Sequence, residues 1–308
     1  MALNGQDLIS IEDLSRDDIN KVLSVSQNMI SAAKNGSKLC EGKILANLFF
    51  EPSTRTRLSF ESAMYRLGGN AIGFADAGVT SAKKGEVLSD TIQVASSYSD
   101  IIAIRHPSEG AARVAAEASD IPIINAGDGG HQHPTQTLLD LFTLAKEKGK
   151  IDGLSIGLFG DLKYGRTVHS LACALSLFSG VKIHCISPEQ LKMPPHIINR
   201  ASECGVSISE HGDISEVISK LDVLYGTRIQ KERFGSEKEY HDVKGGYAID
   251  RKIMSQAKKD MILMHPLPRI DEIAYEVDYD PRAVYFKQAA YGVPVRMALI
   301  ALMLGKVK

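Results

Sequence analysis

Lys43-Ile44-Leu45-Ala46-Asn47-Leu48-Phe49-Phe50-Glu51-Pro52-Ser53-Thr54-Arg55-Thr56-Arg57 is the stretch that decides the fold. Its first eight residues are almost continuously apolar, the pattern of a parallel strand buried on both faces. Glu51-Pro52 breaks the run, because proline disfavours helical geometry in the residue before it. Ser53 is a favoured N-cap, and Phe60, Met64 and Leu67 recur at helical spacing until Gly68-Gly69 stops the pattern. A helix start of this kind offers unpaired backbone N–H groups at the positive end of the macrodipole, and hydroxyls and a guanidinium are added in its first turn. The expected guest is a phosphate. Arg55 and Arg57 lie about 200° apart around a helix, so both cannot turn to one ligand; Arg55 is assigned to the anion and Arg57 to structure.

Working outward, the runs Asp100–Ile104, Ile121–Asn125, Leu154–Phe159, Val181–Ile186, Leu221–Tyr225 and Met261–Met264 also read as strands. Helical patterns separate them, among them Thr135–Lys146, Thr167–Phe178 and Pro195–Glu203. Alternating strand and helix predicts an α/β fold with parallel sheets and right-handed crossovers. The 308 residues suffice for about two domains. The charged run Lys146-Glu147-Lys148-Gly149-Lys150, ahead of a fresh strand, sets the boundary within Asp140–Asp152. The polar stretch Gln230–Glu239 reads as a surface loop of the kind that closes over ligands.

A net charge of −1 gives no global basic field, so no nucleic-acid partner is expected and any anion site depends on local placement of Arg and Lys. Met297–Leu304, the most apolar stretch, is far shorter than the ~20 residues of a membrane span. No membrane partner and a cytoplasmic location are expected, since Met1-Ala2-Leu3-Asn4-Gly5 opens no secretory pattern. Cys40, Cys173, Cys185 and Cys204 form no C-x-x-C pair and read as reduced, mostly buried thiols.

Ligands of open α/β sheets gather beyond the carboxyl ends of the strands. After Ile104 comes Arg105-His106-Pro107; after Asn125 comes Ala126-Gly127-Asp128-Gly129-Gly130-His131-Gln132-His133-Pro134-Thr135-Gln136-Thr137. After Phe159 comes Gly160-Asp161-Leu162-Lys163-Tyr164-Gly165-Arg166; after Tyr225, Gly226-Thr227-Arg228-Ile229-Gln230; after Met264, His265-Pro266-Leu267-Pro268-Arg269. Arginines repeated at strand ends describe sites for ligands carrying several negative charges. Pro134 suits the first helical position, which puts His133 at the cap and Gln136 on the same face. His131 and His133 lack a third ligand at metal-binding spacing, so no metal and no cofactor is expected. The Gly160–Arg166 turn lacks G-x-G-x-x-G, and neither a G-x-x-x-x-G-K-[ST] loop nor a nucleophile elbow is present.

Together these residues resemble the catalytic chains of the aspartate carbamoyltransferase family, along essentially the full length. Ser53–Arg57 is similar to the carbamoyl-phosphate signature of all carbamoyltransferases. His133–Gln136, Gly160–Arg166, Thr227–Gln230 and His265–Pro268 match the aspartate enzymes in order and spacing. Ornithine enzymes typically carry a cysteine where this chain reads His265-Pro266-Leu267-Pro268. The resemblance implies two domains, 1–134 plus 292–308 for carbamoyl phosphate, closed by the C-terminal helix, and 135–291 for aspartate. It implies an active site between the domains and at a subunit interface. Ser53, Thr54, Arg55, Thr56 and Arg105 would hold phosphate; Thr56, Arg105 and His133 would polarise the carbamoyl oxygen. Gln136 and the carbonyls of Leu267 and Pro268 would receive the carbamoyl amide. Arg166, Arg228 and Gln230 would grip the aspartate carboxylates, and Ser81 and Lys84 would reach a neighbouring subunit's site, the latter in competition with Lys83. The implied activity is carbamoyl transfer from carbamoyl phosphate to L-aspartate, an early step of pyrimidine synthesis, by a homotrimer that in many members joins a regulatory zinc-bearing chain. Transfer to another amine such as ornithine, or anion binding without catalysis, are the alternatives.

Overall fold

The apolar run of Lys43–Phe50 forms the strand β1 (Ile44–Phe49), whose Leu45, Ala46, Leu48 and Phe49 are buried. It follows helix α1 (Arg16–Asn35) and leads into α2 (Thr54–Arg66), β2 (Asn70–Phe74), α3 (Leu88–Ser96), β3 (Ile101–His106), α4 (Ala111–Glu117) and β4 (Ile123–Asp128). A computed structural model describes residues 3–229 and 247–307 of the chain. Helix α5 (Pro134–Lys148) precedes β5 (Ser155–Phe159), α6 (Arg166–Leu175), β6 (Lys182–Ile186), α7 (Pro195–Glu203), β7 (Ser207–His211), β8 (Val223–Gly226), α8 (Arg251–Gln256), β9 (Ile262–Met264) and α9 (Tyr285–Met303).

Two compact units result: Met1–Phe142 with Tyr291–Lys308, and Thr143–Ala290. The chain passes between them inside α5 and again inside α9. The first holds a parallel sheet of order β2-β1-β3-β4, the second a parallel sheet of order β7-β6-β5-β8-β9. One face of the first sheet packs Ala46, Leu48, Ile102 and Ile104 against Ile92, Ala112 and Ala115. In the second, Phe159, Ile186, Leu224 and Leu263 pack against Ile218, Leu221, Met254 and Tyr285. Among the described residues no helix is long and apolar enough to cross a membrane.

Strands β2 and β7 are absent from the sequence reading, and both are sheet edges. A search for continuously apolar runs finds strands covered on both faces; β2 is largely exposed, and β7 reads Ser-Ile-Ser-Glu-His with half its surface wet. Strand β3 also runs past its expected end at Ile104. Arg105 pairs in register with Phe49, which places it inside the sheet rather than in the following loop.

The strand order explains where ligands gather. In the first sheet the chain steps from β1 outward to β2 and then returns on the other side to β3, so the winding reverses between β1 and β3. In the second it reverses between β5 and β8. The crevices beyond the carboxyl ends of such strand pairs are open because their connections leave in opposite directions.

Candidate active site

At the reversal in the first sheet, Glu51 to Thr56 follow β1 and Arg105 is the last residue but one of β3. Ser53 occupies the N-cap in extended geometry, but its side chain makes no capping hydrogen bond, contrary to what its residue type suggests. Thr56 is buried in the first turn. Arg57 pairs with Glu61 at 3.0 Å, one helical turn on. Arg105 is 8% exposed, donates to the Ala126 carbonyl at 3.3 Å and meets Glu51 Oε1 at 3.3 Å, while its Nε finds no partner. Burial lowers the proton affinity of Arg105, against the pull of Glu51; burial and then the like charge of Arg105 lower that of Arg55. Two guanidiniums that disfavour one another thus stand at a helix N-terminus, with Glu51 paired to Arg105. A dianion supplies the missing negative charge.

The loop after β4 is built around buried Asp128, which accepts from Gly110 N at 2.9 Å, Gln132 N at 3.0 Å and Asn125 Nδ2 at 2.9 Å, with His131 Nδ1 at 3.2 Å. That loop delivers His133, 5% exposed, to the cap of α5, where its carbonyl accepts from Gln136 N at 2.9 Å. Its Nδ1 lies 3.4 Å from Thr135 Oγ1. Gln136 Nε2 donates to Asp140 Oδ1 at 2.8 Å. A carboxylate only accepts, so this bond fixes which end of the amide faces Asp140 and leaves Oε1 as the end that receives an N–H.

Behind this helix stands Arg296 of α9, buried in the most apolar part of the sequence. Its guanidinium reaches the Gly292 carbonyl at 3.2 Å and Thr135 Oγ1 at 3.4 Å and lies over the Phe60 ring at 5.0 Å. Burial pulls it down to about 10, opposed by the charge of Asp140. Neither Arg296 nor Asp140 figures among the site residues read from the sequence. The available signal was a lone arginine inside the apolar run Val295–Leu304, whose buried charge needs compensation nearby.

In the second unit the reversal lies between β5 and β8. Gly160, at φ +111, tolerates no side chain, since a Cβ there would come within 2.6 Å of the Thr227 carbonyl. Thr227 is stapled back by its N–H to the Phe159 carbonyl at 2.8 Å and by its hydroxyl to the same oxygen at 3.0 Å. Buried Asp161 accepts from Lys163 N at 3.2 Å and Tyr164 N at 2.9 Å, shaping the turn that sets Arg166 as the first residue of α6. Arg166 and Arg228 are both half-buried. Beside β8, His265 follows β9, and its Nδ1 accepts from Leu267 N at 2.9 Å. Leu267 is left-handed at φ 56 and is joined to Pro268 by a cis peptide bond. His265 Nε2 lies 3.0 Å from Glu272 Oε1. Burial would raise Glu272, yet the His265 contact holds it below the usual carboxylate range.

The structure therefore groups Ser53, Thr54, Arg55, Thr56 and Arg105 at one strand reversal. Arg166 and Arg228 lie at the other, with Leu267 and Pro268 on the next strand end. Ser81 and Lys84 occupy an exposed single turn, Ser81–Lys84, in the first unit. Gln230 and the expected closing loop lie outside the described residues.

Two parallel α/β units, each with arginines at its strand reversal, define a protein that handles two anionic small molecules. The chain belongs to the aspartate/ornithine carbamoyltransferase family. Residues 6–146 match the family's carbamoyl-P binding domain and residues 152–303 its Asp/Orn binding domain. It is 58% identical over 307 residues to the aspartate carbamoyltransferase catalytic subunit of Thermococcus gammatolerans, covering 99% of each chain. The corresponding subunit of Thermoplasma acidophilum is 55% identical over 305 residues, 98% of this chain and 99% of that one. Among solved structures, the catalytic subunit of M. jannaschii aspartate transcarbamoylase superposes with a TM-score of 0.92 at 53% identity, over 97% of this chain and 98% of that one. The Trypanosoma cruzi aspartate transcarbamoylase bound to N-(phosphonacetyl)-L-aspartic acid gives 0.91 at 42% identity, over 98% and 97%.

Proposed function

We propose that the chain transfers the carbamoyl group of carbamoyl phosphate to the amine of L-aspartate, giving N-carbamoyl-L-aspartate and phosphate. The observation that carries the reading is the pair Arg55 and Arg105, two partly desolvated cations that repel one another at a helix N-terminus, with Glu51 paired to Arg105. The first unit binds carbamoyl phosphate: Ser53, Thr54, Arg55, Thr56 and Arg105 hold its phosphate, and Gln136 Oε1 with the carbonyls of Leu267 and Pro268 accept from its amide. Arg166, Arg228 and Gln230 take the two aspartate carboxylates.

The uncharged aspartate amine attacks the carbamoyl carbon. Thr56, Arg105 and His133 donate to the oxyanion that forms, each such donor contributing about 2.7–4 kcal/mol. The carbon–oxygen bond to phosphate then breaks, and the departing phosphate takes the amine proton. No covalent intermediate is required, so catalysis is positioning plus charge stabilisation. The protein acts in the cytoplasm in pyrimidine synthesis, as a homotrimer in which Ser81 and Lys84 complete a neighbour's site; the relatives' designation as catalytic subunits supports association with a regulatory chain.

The test is product formation by purified protein from carbamoyl phosphate with aspartate or ornithine. Carbamoyl aspartate is expected. Product with ornithine alone would overturn the acceptor, and none with either would overturn the activity. Mixing inactive Arg105→Ala chains with inactive Lys84→Ala chains, after dissociation and reassembly, restores activity only if Lys84 serves a neighbour.

A further inference from the structure

A carbamoyl group asks for two unlike partners. Its oxygen only accepts and its NH2 donates, whereas acetyl phosphate keeps the same oxygen and carries a methyl group in place of the NH2. The residues set against these two atoms, His133 and Gln136 at the start of α5, are of types that adapt. A glutamine amide can turn either end to a ligand, and a neutral imidazole can carry its proton on either nitrogen. Residue type alone therefore does not distinguish the two compounds.

Buried groups behind α5 remove that freedom. Asp140 is buried and accepts from Gln136 Nε2 at 2.8 Å. Arg296 is buried too, and its charge favours Asp140 as a carboxylate just as Asp140 favours the guanidinium. A carboxylate cannot donate, so a flipped Gln136 would set its Oε1 against an acceptor and lose the bond. Thr135 is also fully buried, and among the described residues its Oγ1 has two hydrogen-bond partners, Arg296 Nη2 and His133 Nδ1, each at 3.4 Å. A guanidinium donates and never accepts. His133 Nδ1 is thus the acceptor for the Thr135 hydroxyl, whose proton would otherwise be buried without a bond. His133 then carries its own proton on Nε2.

We infer that Asp140, Thr135 and Arg296 are positioning residues that set the site for a carbamoyl group. The acceptor-only carboxylate makes Gln136 present Oε1 to the NH2; the donor-only guanidinium, through Thr135, makes His133 present Nε2–H to the oxygen. All of these residues belong to the first unit. Arg296 is itself held by the Gly292 carbonyl at 3.2 Å and by the Phe60 ring at 5.0 Å. The inference rests on the carbamoyl transfer proposed above and supplies the origin of its choice of donor.

The test compares carbamoyl phosphate with acetyl phosphate as donors to aspartate, as a ratio of kcat/KM values. Asp140→Asn keeps the side-chain size but can donate as well as accept, which frees Gln136 to turn. The preference for carbamoyl phosphate should fall about tenfold, the worth of one hydrogen bond. A merely structural Asp140 would lower both rates together, and an unchanged ratio overturns the inference. Thr135→Val should lower kcat, also about tenfold, and Thr135→Ser should restore most of it; Thr135→Val as active as the unaltered protein, or Thr135→Ser as poor as Thr135→Val, overturns the Thr135 link. Should the variants fail to fold, nitrogen NMR of the histidines in the unaltered protein at mildly alkaline pH decides, with His133→Asn assigning the signal. A proton on Nε2 with a bare Nδ1 supports the arrangement, and a proton on Nδ1 overturns it. Unaltered protein that carbamoylates no amine would overturn the proposed function itself, whereas active protein with an unchanged ratio in Asp140→Asn overturns this inference alone.

Discussion

Replacing Arg105 by methionine should leave the fold standing while abolishing anion binding. Arg105 makes two contacts, each at the long distance of 3.3 Å, and leaves its Nε unpartnered, so it recovers little of the cost of its burial. Its partner Glu51 has a side chain 37% exposed and would be rehydrated, so the 3–5 kcal/mol penalty of stranding a buried charge does not arise. An unbranched methionine fills the volume, and removing the guanidinium also relieves the repulsion with Arg55. The net change in unliganded stability should be no more than about 1–2 kcal/mol, the worth of one or two hydrogen bonds. Loss of an oxyanion donor should instead lower kcat by roughly 10²–10³. Inorganic phosphate, a heat-stable product, gives a second readout. At about 100 times its dissociation constant a ligand stabilises by ~2.7 kcal/mol, and each kcal/mol raises the midpoint of a unit this size by about 2–4 °C. Thermal scans of the unaltered protein should therefore shift upward by roughly 5–10 °C with phosphate, and those of Arg105→Met should not. A variant that keeps the phosphate shift and near-normal turnover would refute the reasoning; one that melts far below the unaltered protein without ligand would show Arg105 to be structural.

Asp140→Ala removes the buried negative charge that favours the Arg296 guanidinium and should cost up to about 3–5 kcal/mol in urea denaturation, whereas Asp140→Leu combined with Arg296→Met should recover much of that loss. Gly160→Ala puts a methyl group against the Thr227 carbonyl at a left-handed φ; stability should fall by at least about 1–2 kcal/mol, and KM for aspartate should rise as Arg166 and Arg228 lose register. Glu272 is held below its unfolded value, so its contribution is complete above that value, about pH 4.5, and drains away as pH falls through the lower folded value; Glu272→Gln should flatten this acid limb in urea midpoints measured from neutral pH downward. His133→Asn should lose rate while keeping the pH profile if the imidazole acts as a donor, and loss of the basic-limb pKa would make it a general base.

Much of the fold was legible because its strands are buried on both faces. Nearly continuous apolar runs such as Leu45–Phe49 or Ile101–Ile104 are too short for a membrane span and fit strands covered on both faces, and the polar stretches that end them mark the carboxyl edge of the sheet. Edge strands obey a weaker rule. Asn70–Phe74 and Ser207–His211 pair on one side only, so they need no apolar run and gave no signal. The residues proposed to meet the substrates were legible for a related reason: Arg55, His133, Arg166 and Arg228 sit beside breaks in hydrophobic pattern, where a bland sequence would place glycine or serine.

From the sequence alone came the class of fold, the proposed phosphate cradle at Ser53–Arg57 and the arginines at the strand ends, since each depends on residues close together in the chain. Tertiary structure alone decided that Arg105 pairs with Glu51 with no partner for its Nε. It also decided that Gln136 is oriented by Asp140 and that Arg296, more than 150 residues away, backs that pair. It alone set the Thr135 hydroxyl 3.4 Å from both His133 and Arg296. These are pairings across strands and helices, and their distances are set by register and packing, which no local pattern of residues encodes.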